Sequence, residues 1–192
     1  MSTHSSTLTR STTPTLAARK MRWAVSVVFF CNGAGFASWV SRIPSVREGL
    51  GLSDGELGTA LLALAAGALV AFPLSGRATQ WLGARQVTLI TALMFFFALP
   101  QPMLVGLYAS LLLVLFVFGA ANGALDVSMN ALAVEAETAW GKPIMSSFHG
   151  LWSIGGFAGA SLGGAAASIG MDASTHLLIA ALVLGAAALA VA

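Results

Sequence analysis

Long apolar runs broken by brief polar punctuation dominate the chain. A helix needs about 20 mostly apolar residues to cross a bilayer, and six runs meet that requirement. The first covers 23–43 and is expected to stop at Pro44. The second covers 54–75 and opens on Ser53 and Glu56, an S-x-x-E capping box. The third, 85–101, ends at the PQP of 100–102. The fourth starts near Met103, passes Asp126 and reaches about Ala136. The fifth covers 143–169, with Pro143 expected in its first turn. The sixth starts near Ser174 and is still apolar at Ala192. That last run carries no basic flank, so the sequence predicts a chain truncated within or just after helix six. The connections are short, which makes each helix antiparallel to the next. The pattern predicts an all-α, integral membrane six-helix bundle with no soluble domain.

Composition agrees with the pattern. Of the 192 residues, 57% are hydrophobic and 8% charged, against about 25% charged in an average soluble domain. So few charges do not cover a solvated surface, and the mean hydropathy is +0.87. A single cysteine, Cys31, excludes an internal disulfide and a cysteine-based metal cluster. The net charge of +2 is small and scattered, so nucleic-acid binding is not expected. There is no HExxH, GxSxG or phosphate-binding loop. Neither an enzyme nor a primary pump is expected, and no cofactor or metal. Residues 1–22 are rich in Ser and Thr, with four basic residues and no acid. They are expected to form a disordered cytoplasmic tail ahead of a membrane domain at 23–192. With the N-terminus in the cytoplasm, that side holds Arg10, Arg19, Lys20, Arg22, Arg77, Arg85 and Lys142, and the opposite side only Arg42 and Arg47. This asymmetry favours that orientation.

The segment GRATQWLGARQ at 76–86 resembles the signature between helices two and three of the major facilitator superfamily, G-x-x-x-D-R-x-G-R-R/K. Gly76, Gly83 and Arg85 match; Gln80, Trp81 and Ala84 replace the aspartate and two of the basic residues. The charged lock of the family is therefore not carried over. LGLSDGELG at 50–58 is similar to the capped entry of helix two in many members. KPIMSSFHGLWSIGGFAGASLGG at 142–164 resembles helix five of bacterial members loosely of the fucose-permease type. The resemblance covers about 20–192 and implies the N-terminal half of a twelve-helix transporter, built as inverted 3+3 helix repeats. It implies a missing C-terminal six-helix half, a small-molecule substrate bound near mid-membrane, rocking of the two halves, and a bacterial inner-membrane location. Helices one and four would line the cavity; helices two and five would meet the other half.

Against that frame the polar residues can be sorted. On helix one, Asn32, Phe36, Trp39 and Arg42 share one sector. Asn32 reads equally as cavity lining or as interhelical glue, and Arg42 reads better as an interfacial anchor. On helix four, Asn122, Asp126 and Asn130 are spaced four apart and form one stripe. Helix five carries His149 and Ser153 at the same spacing, with Trp152 nearby. A hairpin centred on 137–138 would set Asp126 and His149 at similar depth. An ionisable residue inside a span is a functional-site hypothesis, so Asp126 and His149 are proton-coupling candidates. The plainer alternative pairs Asp126 with Arg77 or Arg85. Glu135 and Glu137 are expected to be solvated or paired with Lys142 or the loop arginines, and His176 to be interfacial. Gly155, Gly159 and Gly163, with Gly156 and Gly164 beside them, form a small-residue face suited to close helix packing. Together these readings point to a secondary active transporter of a small, sugar-like or other polar solute. The alternatives are a drug-efflux member of the same superfamily, or a six-helix channel or structural subunit.

Overall fold

The structure, a computed structural model, describes residues 14–191. Seven α-helices and one 3-10 turn account for nearly all of them: α1 Leu16–Val40, α2 Ile43–Leu50, α3 Asp54–Leu82, α4 Ala84–Ala98, the turn Gln101–Met103, α5 Tyr108–Trp140, α6 Met145–Ser168 and α7 Ala173–Val191. With α2 an appendage of α1, six long helices remain. Five spans among the described residues are long and apolar enough to cross a membrane: Leu16–Leu50, Asp54–Leu82, Ala84–Met103, Tyr108–Trp140 and Ala173–Val191. α6 has the length, at 24 residues, but its glycines, serines and His149 make it less apolar. Large apolar side chains such as Leu69, Phe97, Phe157 and Leu182 face outward, as a lipid-solvated surface requires. The chain is an integral membrane helical bundle.

Several element boundaries depart from the sequence pattern. The predicted tail of 1–22 is helical from Leu16 onward, while residues 1–13 lie outside the described part. Thr15 caps the helix by accepting the Ala18 N–H at 3.2 Å. Arg22 lies 4.4 Å above the Trp140 ring, tying the first turns of α1 to the end of α5. Pro44 does not end helix one. α1 ends at Val40, and Pro44 starts α2, where its fixed φ and missing N–H are tolerated. The predicted loop 76–84 is almost entirely helix. α3 continues through Leu82, and one residue, Gly83 with φ of 86°, turns the chain into α4. Only glycine adopts that conformation readily. Pro143 precedes α6 rather than entering it. By contrast, the Ser53–Glu56 capping box forms in both directions, and the PQP segment does terminate helix three.

Two parallel helix pairs form the closest contacts, α3 with α5 and α1 with α6; α4 with α5 and α7 with α1 follow. Exchanging α1 with α5, α3 with α6 and α4 with α7 maps this pattern onto itself. Each exchanged helix runs in the opposite direction, which is the relation expected of inverted three-helix repeats. The core at the crossing is aromatic. Phe118 of α5 stacks on Phe95 and Phe36 and meets Trp39 edge-on, with centroids 5.5, 6.4 and 5.8 Å apart.

Candidate functional site

Close approach of α1 and α6 positions the polar side chains. A Cβ on Gly155 would strike the carbonyl of Phe30, one on Gly159 that of Ala34, and one on Gly163 the hydroxyl of Ser41. Gly33 of α1 is equally constrained by the carbonyl of Trp152. Gly155, Gly159 and Gly163 thus pack closely, whereas Gly156 has only the Gly33 carbonyl at 3.9 Å and Gly164 nothing within 4 Å, so both would accept a methyl group. With the backbones this near, the Trp152 indole N–H reaches Asn32 Oδ1 at 2.9 Å, and Asn32 Nδ2 donates to Asn122 Oδ1 at 3.0 Å. One buried asparagine therefore joins α1, α5 and α6 near the middle of the bundle.

Asn122, Asp126 and Asn130 are half-buried along one face of α5, while Leu125 and Met129 between them are buried. Asn130 Nδ2 donates to the Asp126 carbonyl at 2.8 Å and to its Oδ1 at 3.2 Å, fixing the carboxylate from within its own helix. His149 is exposed and packs edge-on against Phe29, 5.4 Å between centroids. Moving one turn from the Asn32–Asn122 bond toward the N-terminal end of α1 reaches Phe29 on α1 and Asp126 on α5. Asp126 and His149 thus share a level, without a hydrogen bond or ion pair between them. Trp152 remains 38% exposed beside them, and Ser153 is exposed with its hydroxyl bonded to the His149 carbonyl at 3.1 Å.

The hairpin that brings these helices together differs from the predicted one. α5 runs to Trp140, and Gly141, at φ 75°, ends it, so the connection is 141–144 rather than 137–138. Glu137 is not a solvated loop residue. Its Oε2 accepts the N–H groups of Ile144 and Met145, both at 2.7 Å, so α6 begins alongside α5 about a turn before α5 ends. Two residues of the helix-one stripe also move. Trp39 is 1% exposed and belongs to the aromatic core rather than to an open wall, while Phe36 is half-buried beside it. Arg42 is no interfacial anchor: it is 3% exposed, and its Nε donates to His176 Nδ1 at 3.2 Å. His176 is itself buried. Of the signature positions, Gly83 is demanded by its backbone, Gly76 has open space around it, and Arg85 shares a pocket with Glu135 at the N-terminal end of the bundle.

Sequence reasoning missed the second close pair. A Cβ on Gly67 would meet the Phe116 carbonyl, on Gly119 the Leu64 carbonyl, and on Gly123 the backbone of Ala68. The G-x-x-x-G spacing of Gly119 and Gly123 was the available signal.

No family model matches the chain, and no solved structure matches it. Curated relatives do. The chain is 38% identical over 152 residues to an uncharacterised MFS-type transporter of Yersinia pestis, covering 79% of the chain and 40% of that protein. It is 35% identical over 161 residues to an uncharacterised transporter of Sinorhizobium fredii, covering 84% and 43%. It is 39% identical over 142 residues to the membrane protein MosC of Rhizobium meliloti, covering 71% and 33%. The matched region is well under half the length of each relative, about what one six-helix half of a twelve-helix protein occupies. With the inverted pairing of its helices and its apolar exterior, this similarity shows that the chain belongs to the major facilitator superfamily.

Proposed function

We propose that the chain is the N-terminal half of a secondary active transporter, and that a small polar solute binds against the wall formed by α1, α5 and α6. The observation that carries this reading is the Trp152–Asn32–Asn122 hydrogen-bonded node with the half-buried Asp126 level with His149. Amide, indole, imidazole and carboxylate groups converge on one open face of an otherwise apolar bundle. A lipid-facing wall of this kind would be costly, so the face belongs against water, solute or a second half. A C-terminal six-helix half completes the cavity, and the halves rock around the bound solute. In that setting Asp126 and His149 carry the coupling proton. Desolvation disfavours a charged carboxylate and a nearby cation favours it, so a wall that alternates between wet and dry drives proton exchange. The N-terminal end of the bundle, with Arg19, Lys20, Arg22 and Arg85, faces the cytoplasm of a bacterial inner membrane. Solute uptake and proton flux in vesicles containing the full-length protein, run against a panel of sugars and other polar metabolites, test the reading. A substrate whose uptake collapses a proton gradient supports it; an Asp126→Asn protein that keeps proton-driven uptake and its pH dependence rejects coupling through this carboxylate.

A further inference from the structure

At the end of the bundle opposite the N-terminus, a pocket of about 370 Å³ lies between α2, the 3-10 turn and the α6–α7 connection. Arg42, Ser45, Gly49, Met103, Asp172 and Ser174 contribute to its walls. Arg42 is 3% exposed, and its Nη2 is buried with no hydrogen-bond partner. Its Nε bond goes to His176 Nδ1, which offers a lone pair and no negative charge. The nearest acid in the wall does not neutralise the guanidinium either. Asp172 makes no ion pair with Arg42; its carboxylate accepts from the Ser174 hydroxyl and from the Thr175 N–H, capping α7. By contrast Arg47, at the same end, pairs with Asp54 at 2.7 Å. A buried cation with an unused donor and no counter-charge is unfavourable unless something anionic sits beside it. A planar guanidinium fork matches the geometry of a carboxylate or phosphate.

We propose that this pocket is a site for a single oxyanion, bound by Arg42 with the Ser45 hydroxyl at its edge. The same chemistry is supplied by a soluble carboxylate or phosphate and by the phosphodiester of a lipid head group at that depth. The site is distinct from the Asn32–Asp126–His149 wall: Arg42 lies past the end of α1, ten positions beyond Asn32, about 15 Å at a helical rise. It does not depend on the transport reading.

The test uses the purified full-length protein, with thermal unfolding followed while phosphate or acetate replaces chloride at constant ionic strength. A saturable rise in Tm is expected, since a ligand of the folded state stabilises it by mass action. Arg42→Lys, which keeps the charge and loses the fork, should weaken the midpoint about tenfold or more, roughly the worth of one good charged contact. Arg47→Lys should leave the midpoint unchanged. Gly49→Glu supplies a tethered carboxylate where a Cβ meets nothing within 4 Å; it should raise Tm and abolish the phosphate response. This variant decides the matter if Arg42→Lys does not fold. Nanodiscs separate the sources. A response present in nanodiscs of phosphate-free galactolipid and absent in phospholipid ones identifies the lipid phosphodiester as occupant, and a response in both identifies the soluble anion. No saturable response in any medium, or one that survives both Arg42→Lys and Gly49→Glu, overturns the proposal.

Discussion

In the α3–α5 pair, Gly67, Gly119 and Gly123 let two backbones touch, and the polar cross-links run only from hydroxyls to backbone: Ser75 to the Ala124 carbonyl at 2.8 Å, and Tyr108 to the Glu56 carbonyl at 3.1 Å. In the α1–α6 pair, Gly33, Gly155, Gly159 and Gly163 do the same, but the contact also carries Asn32, Trp152 and His149. The two pairs are exchanged by the inverted repeat, so the backbone scaffold is nearly the same on both sides. The side chains are not. Repetition of the fold supplies close-packed, stiff helix pairs, and one of them, with the stripe of α5, has been given polar chemistry. The comparison separates what holds the bundle together from what the bundle presents.

Four measurements would break or sharpen this contrast. The largest effect is expected from overpacking either glycine seam. Gly119→Leu and Gly159→Leu should each cost about 1–3 kcal/mol or more, read as loss of folded protein in a mixed-micelle denaturation series. If only one seam is sensitive, the two pairs are not structural equivalents. Next, Asp126→Asn should lower proton-driven uptake by the full-length protein about tenfold, equivalent to ~1.4 kcal/mol, and flatten its pH dependence, with little change in stability. Unaltered uptake would assign the α5 stripe to structure alone. Third, Asn32→Ala removes two interhelical bonds and should cost about 1 kcal/mol, whereas Ser75→Ala should cost about half that. Equal costs would mean that the polar node is only glue. The smallest effect concerns Asp172, an exposed cap outside the spans. The Ser174 hydroxyl first, and the Thr175 N–H after it, hold its carboxyl below the ordinary value. A lowered carboxyl stabilises the fold at pH above its unfolded value of about 3.9, and that contribution fades as pH falls through the lower folded value. Asp172→Asn should therefore shift Tm slightly at neutral pH and not at all at the acid end of a pH series.

Local patterns made much of this visible in advance. Ser53 and Glu56 are a complete signal within four residues, and the capping box forms. Gly155, Gly159 and Gly163 repeat at the helical period, and all three pack against α1. The four-residue spacing of Asn122, Asp126 and Asn130 placed them on one face, which the half-buried pattern on α5 reproduces. The misreadings share a cause. Pro44 and Gly83 look locally like a helix end and a loop residue, but proline also suits a first helical turn, and one glycine suffices to redirect the chain. Burial of Arg42 against His176 depends on elements 134 residues apart, and nothing in the local periodicity of either reports it. The role of Glu137 likewise depends on where the next helix begins, and Gly141 rather than the EAETAW stretch decides that.

Glu137 has a mechanical consequence. By gripping the first two amides of α6 from a point inside α5, it makes the connection a short closed loop instead of a free joint. A tilt of α5 therefore drags the start of α6 with it. Whatever stroke the bundle makes, the entry to α6 travels with the last turns of α5.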